Sequence, residues 1–178
     1  VRKRSGVDKV IKTYLRILIE RRMVDFELIL LYAHMIVEKN PVVSKVLSQM
    51  ISLVAIDEYQ DTKQIQYSIV ASILRAGAGA VRSFLVGDPN QAIYKSLGGY
   101  PITFEEFKGI AGIEMKELSL SKNYRSSERI IDYFGNFNVH GTHIEAASGR
   151  KSYRSLVSFD TSLGYSGLAA ELKRLIQY

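Results

Sequence analysis

Three short stretches of this chain concentrate side chains that could act on a phosphate. "AIDEYQDT", residues 55–62, sets Asp57 beside Glu58 straight after an apolar run and then adds Gln60 and Asp61. "LVGDPNQAIY", residues 85–94, brings Asp88, Gln91 and Tyr94, and "LSLSKNYRSS", residues 118–127, brings Tyr124 and Arg125. A phosphate-transfer site needs a carboxylate to hold hydrated magnesium and a base or polar group to position water. It also needs a cation to offset charge on the terminal phosphate and, often, a flat ring under the nucleotide base. All of these types are present. The Asp57-Glu58 pair by itself reads more readily as an acidic turn after a buried strand than as a catalytic pair, so its company carries the argument.

The elements that would position these residues follow from periodicity. Val7, Val10, Ile11, Tyr14, Leu15 and Leu18 recur at helical spacing, as do Phe26, Ile29, Leu30, Ala33, Ile36 and Val37 after a cap at Asp25. Asn40-Pro41 breaks the pattern, and residues 42–50 form a third helix. "ISLVAI", residues 51–56, reads as a strand buried on both faces, with the acids at its carboxyl end. Residues 62–75 read as helix ending at Gly77, and "AVRSFLV", residues 80–86, as a second buried strand. "MKELSLS", residues 115–121, offers a third, after which Ser126 or Ser127 caps a helix through Ile130, Ile131 and Phe134. Strands alternating with helices predict an α/β fold, a mainly parallel sheet flanked by helices, with ligands at the carboxyl ends of its strands. The three polar clusters are then expected to converge on one crevice. Residues 138–154 read as a polar linker, and "SLVSF", residues 155–159, with residues 168–176 supply one more strand and helix.

Composition narrows the class. The 178 residues include no cysteine, so disulfides and thiolate metal sites are excluded, and a reducing compartment, by default the cytoplasm, is expected. No apolar run reaches the roughly 20 residues of a membrane span. The net charge is +6, and residues 1–22 hold eight of the 24 basic residues and two of the 18 acidic ones, which leaves 16 of each in the remainder. The excess therefore sits in the first segment, where Arg16, Arg21 and Arg22 are candidates for contact with a nucleic-acid backbone. His140 and His143 are spaced for a metal, but no Cys or acidic cluster completes a set, so they are read as solvated.

The three motifs, in this order and spacing, resemble the second, third and fourth motifs of superfamily 1 DNA helicases of the UvrD/Rep/PcrA type. The resemblance covers residues 7–134. It implies a partial RecA-like P-loop NTPase lobe, ATP and Mg as cofactors, and single-stranded and duplex DNA as partners. By it, Asp57 would hold magnesium through water, Glu58 would orient and deprotonate the attacking water, and Gln91 would sense the terminal phosphate. Tyr124 would stack on adenine, Arg125 would contact the terminal phosphate, and Tyr94 would lie on the single-stranded DNA path. Gln60 and Asp61 would have supporting roles.

Two departures accompany the resemblance. Ser96 and Leu97 stand where these helicases carry an aromatic residue and an arginine, so a base-stacking platform is missing or is replaced by Tyr100. No Gly-x-x-x-x-Gly-Lys-Ser/Thr occurs, and "GAGA", residues 77–80, precedes a strand where a phosphate loop must follow one. The first residue is Val1, not methionine. The economical expectation is an internal piece of a longer helicase, partnered by the rest of that chain and inactive by itself toward ATP. Residues 1–22 would be the basic tail of a DNA-contacting insertion, residues 23–138 the back half of the first lobe, and residues 139–178 a linker and the start of the second lobe. The rival expectations are the motor of a helicase-nuclease, with indistinguishable motor motifs, and a non-catalytic nucleic-acid-binding module derived from a helicase. Movement from 3′ to 5′ follows from the resemblance alone.

Overall fold

The computed structural model describes residues 2–149, 151–153, 162 and 164–176. Its packing divides the chain into two units, residues 1–118 and 119–178.

The first unit opens with three helices, α1 (Arg2–Glu20), α2 (Phe26–Lys39) and α3 (Pro41–Met50). Asp25 caps α2 as its sequence position suggests: its carboxylate accepts the Leu28 N–H at 2.7 Å, satisfying a donor the helix cannot satisfy itself. The Tyr14 hydroxyl donates to the other carboxylate oxygen of Asp25, which ties α1 to the start of α2. This bond holds Asp25 below the usual carboxylate range and raises the Tyr14 phenol. Leu18 is buried, whereas Val7, Val10 and Ile11 on the same helix are at least half exposed. Pro41 occupies the first turn of α3, where its missing N–H costs nothing.

Strand β1 (Leu53–Ile56) pairs in parallel with β2 (Arg82–Leu85), and helix α4 (Gln64–Gly77) connects them. Register sets Leu53 against Arg82 and Ala55 against Phe84 on one face, with Val54 against Ser83 and Ile56 against Leu85 on the other. The second face packs on a core of Tyr67, Ala71, Leu74, Val81, Ile102, Phe107 and Ala111. Tyr67 and Phe107 are its largest members, with ring centroids 5.9 Å apart in an edge-on contact. Burial raises the Tyr67 phenol to about 12 while its hydroxyl donates to the Tyr59 carbonyl. The strands are therefore not buried on both faces: Leu53 is 50% and Phe84 58% exposed, because the described helices cover one side only.

Helix α5 (Phe104–Ala111) supplies Phe107 and was not anticipated from periodicity. Thr103 caps it by accepting the Glu106 N–H at 3.2 Å. The expected strand over residues 115–121 is not among the described elements; the Ser121 carbonyl accepts the Glu145 N–H at 2.8 Å, and a strand begins only at β3 (Lys122–Asn123). Alternation of apolar and polar side chains makes a strand only where a neighbour completes its ladder.

In the second unit, β3 pairs in parallel with β4 (Glu145–Ala146), followed in sequence by α7 (Tyr165–Ile176). Helix α6 (Glu128–Gly135) lies between the two strands in sequence and packs on β4, with Ser127 at its N-cap position. Residues 138–154 are thus more than a linker, since β4 falls inside them. The strand expected over residues 155–159 lies outside the described residues. No helix among the described residues is long and apolar enough to cross a membrane. The architecture is a mixed α/β one with short parallel sheets.

Candidate functional site

The carboxyl ends of β1 and β2 lie side by side, and the ladder continues past both: the Val86 N–H donates to the Ile56 carbonyl at 2.9 Å, and the Tyr59 N–H to the Val86 carbonyl at 3.1 Å. The backbone must turn sharply between these bonds. Glu58 does so in the left-handed region, at φ 50 and ψ 47, a conformation uncommon for a residue with a side chain and concentrated at functional sites. The turn presents Asp57 and Glu58 to solvent. Asp57 Oδ1 accepts the Glu58 N–H at 2.9 Å, which fixes the first carboxylate against its own turn.

Gln60 lies beneath this exposed pair at 2% exposure. Its Nε2 donates to Glu58 Oε2 at 2.7 Å and its Oε1 accepts the Asp88 N–H at 3.0 Å, so one buried amide joins Glu58 to Asp88, a residue 28 positions beyond Gln60 itself. The Asp88 carboxylate in turn accepts from the Asn90 N–H at 2.9 Å and from Gln91 Nε2 at 3.0 Å. Glu58, Gln60, Asp88 and Gln91 thus form one hydrogen-bonded chain across the two strand ends. Space for it depends on Gly87. A Cβ there would stand 2.3 Å from Gln60 Oε1 and 2.8 Å from the Tyr59 nitrogen, closer than real Cβ atoms come. Burial raises the Tyr59 phenol, helped by the charges of Asp88 and Glu117. Asp61 Oδ1 is buried without a hydrogen-bond partner.

Beyond Gln91 the chain makes a second short turn that carries Tyr94, 47% exposed and capped by Gly99, whose N–H donates to the Tyr94 carbonyl at 2.9 Å. The Tyr100 N–H donates to the Thr62 carbonyl at 2.9 Å, pinning this loop to the segment that follows the acids. Tyr100 is not a substitute stacking platform: its ring packs against the core and its hydroxyl donates to Glu106 at 2.7 Å. The basic candidates lie elsewhere in the unit. Arg16 is exposed and 3.8 Å from Glu20, and Arg21 and Arg22 form the turn that ends α1, with Arg22 at φ 53.

Tyr124 and Arg125 belong to the second unit. Asn123 Oδ1 accepts the N–H groups of Arg125 at 2.9 Å and Ser126 at 2.8 Å, and this turn leaves Tyr124 69% exposed and Arg125 exposed. The structure therefore brings Asp57, Glu58, Asp88 and Gln91 together within the first unit, with Tyr94 on the next turn.

As for metal, the described residues contain no cluster of three or more ligating side chains. One exposed carboxylate at a strand end, Asp57, fits magnesium, which keeps most of its water and takes its remaining ligands from phosphate oxygens. Sequence reasoning undervalued Gln60 and missed Gly87. The signal for Gly87 was a glycine immediately after an apolar run and immediately before an acid, and that for Gln60 was its place in the acidic motif.

Residues 2–110 match the family described as the UvrD/REP helicase N-terminal domain. An ATP-dependent helicase/nuclease of Exiguobacterium sibiricum is 31% identical over 79% of this chain and 12% of its own length. Its counterpart from Lachnoclostridium phytofermentans, also an ATP-dependent helicase/nuclease, is 35% identical over 64% of this chain and 9% of its own. ATP-dependent DNA helicase Rep of Escherichia coli is 32% identical over 61% of this chain and 16% of its own length. The chain thus spans less than a fifth of each of these relatives.

Proposed function

Because the chain belongs to the UvrD/REP helicase family, we propose that it carries the carboxylate half of the nucleotide site in the motor of an ATP-driven DNA helicase or translocase. The observation that supports this reading best is the hydrogen-bonded chain from Glu58 through Gln60 and Asp88 to Gln91. Residues 23–138 are then the back half of a RecA-like first lobe, residues 1–22 the tail of its DNA-contacting insertion, and residues 139–178 the passage into the second lobe. The longer chain supplies the phosphate loop, and this segment alone does not turn over ATP.

In this reading Asp57 holds magnesium through water, and the ion, when bound with ATP, neutralises charge developing on the phosphates. Glu58 Oε1 faces the attacking water and takes its proton, while Oε2 stays on Gln60. Gln91 reports the terminal phosphate, and its bond to Asp88 gives that report a fixed starting position. Arg125 offsets phosphate charge, and Tyr124, exposed on its turn, offers a face to adenine. Tyr94 offers a face to a DNA base, and Arg16, Arg21 and Arg22 contact backbone phosphates. Unwinding proceeds 3′ to 5′, by analogy with the family, and the absence of cysteine fits work in the cytoplasm. A second reading, the motor of a helicase-nuclease, is favoured by the helicase/nuclease relative matched over 79% of this chain.

Binding of labelled single-stranded DNA, followed by fluorescence anisotropy across a salt series, tests the nucleic-acid part. Affinity should fall steeply with salt, and replacing Arg16, Arg21 and Arg22 by Gln should reduce the log-log slope by about 2 if each meets one phosphate. No binding at low salt, or an unchanged slope, would remove the DNA role from this segment.

A further inference from the structure

We propose that Gln60 is a positioning residue: a buried strut that fixes the Glu58 carboxylate and transmits its state to the Asp88–Gln91 turn. The proposal rests on the reading of Glu58 as the residue that acts on the attacking water, and extends it to a side chain that touches no substrate.

The geometry supports transmission over mere packing. A primary amide has one donor end and one acceptor end, and here each is committed to a different strand end: Nε2 to Glu58 Oε2 at 2.7 Å, Oε1 to the Asp88 N–H at 3.0 Å. Gln60 is 2% exposed, so water cannot readily substitute for either partner, and a lost bond leaves an unsatisfied buried group. A donor on Oε2 leaves the other oxygen of Glu58 to accept a proton, and selects one side-chain rotamer for a residue whose own backbone is already left-handed. On the other side, the Asp88 N–H opens the turn in which the Asp88 carboxylate holds Asn90 and Gln91. A change of charge or direction at Glu58 therefore pulls on Gln60 Nε2, and the rigid amide moves the acceptor that anchors Asp88. Gly87 completes the device, since a Cβ there would stand 2.3 Å from Oε1 and force it to move.

Two substitutions separate the ends. Gln60→Glu keeps an oxygen for the Asp88 N–H but sets a second carboxyl against Glu58 in place of the donor, and adding Glu58→Gln supplies a donor amide from the other side. Gln60→Met keeps the approximate length and removes both bonds. In the 178-residue chain, backbone amide shifts and hydrogen exchange are read by NMR, with and without Glu58→Gln in each background. In the native background Glu58→Gln should shift the Asp88, Asn90 and Gln91 amides; Gln60→Met should abolish that response, and in Gln60→Glu the added Glu58→Gln should return those amides toward their native positions. Exchange at the Asp88 amide should quicken by about tenfold in Gln60→Met and stay near native in Gln60→Glu. A response to Glu58→Gln that persists in Gln60→Met, no return toward native in Gln60→Glu, or an Asp88 amide equally protected in Gln60→Met, would overturn the strut. If Gln60→Met unfolds, Gln60→Glu still decides whether the response passes through the Glu58 bond. These readouts need no nucleotide, so the strut and the helicase reading fail separately: a response that persists in Gln60→Met refutes the first, and lack of DNA binding counts against the second.

Discussion

Two regions carry the proposed nucleotide contacts, and they are built differently. At the ends of β1 and β2, side chains far apart in sequence are held by a buried amide, a glycine that admits it and a parallel ladder that continues past the strands. Around Tyr124 and Arg125, a turn closed by the neighbouring Asn123 presents two exposed side chains, on a ladder of two residue pairs. The first region has its geometry set before any ligand arrives. The second offers a ring and a cation whose rotamers a ligand would have to order, at a cost in side-chain entropy. Residues that must act on a water at one angle belong in the first kind of region, and residues that grip by stacking and charge are served by the second.

Mutations can break this contrast from the strongest side downward. Phe107→Ala removes the ring under Tyr67 and should destabilise the first unit by about 3–5 kcal/mol, measured by denaturant unfolding. The second unit's Tyr133–Phe137 ring pair, 5.5 Å apart, would report whether the loss stays local, through its aromatic NMR signals. Gly87→Ala should cost about 1–3 kcal/mol by overpacking against Gln60 and Tyr59, and should quicken exchange at the Asp88 amide. A neutral Gly87→Ala would mean the strand ends are less closely packed than the 2.3 Å approach to Gln60 Oε1 requires. Asn123→Ala should cost about 1 kcal/mol and alter only amides near residues 124–126. If its effects reached Glu58 or Gln91, the second region would not be the locally built one described.

Alkaline titration sharpens the same comparison. The Tyr67 phenol lies at about 12 in the folded chain against 10.0 for the ordinary group, so the folded state holds its proton more tightly. That contribution to stability is complete below pH 10 and is lost as pH rises from about 10 to 12. Tyr67→Phe, followed by thermal unfolding over that range, should flatten this part of the profile. Asp25 has the opposite sense: its depressed carboxylate contributes stability above the ordinary carboxylate range, which fades as pH falls through it. The response should be strongest at the junction of α1 and α2.

Much of this was legible in the sequence where the signal is local. Helical spacing gave the first three helices and α4, Asp25 was recognisable as a cap, and the acids fell at the end of β1 as expected. The Thr103 to Glu106 spacing that starts α5 was a local capping signal that went unread, because the glycines and proline just before it suggested a loop. Residues 115–121 failed in the other direction: their alternation was real, but a strand also needs a partner at the right height. The β3–β4 ladder spans two residue pairs, too short for any periodicity to show. The strut could not have been read at all. Nothing in the order of residues says that the amide of Gln60 reaches the nitrogen of Asp88, although the motif containing Gln60 marked the place to look.

The central claim is that the paired strand ends hold the hydrolytic half of a motor, and it is tested most directly by DNA-stimulated ATP hydrolysis in the longer chain that joins this segment to a phosphate loop, comparing native protein with Glu58→Gln. The account predicts that turnover falls by at least about 100-fold while ATP binding persists, as expected when a positioned base is lost. Turnover near the native rate in Glu58→Gln would contradict it.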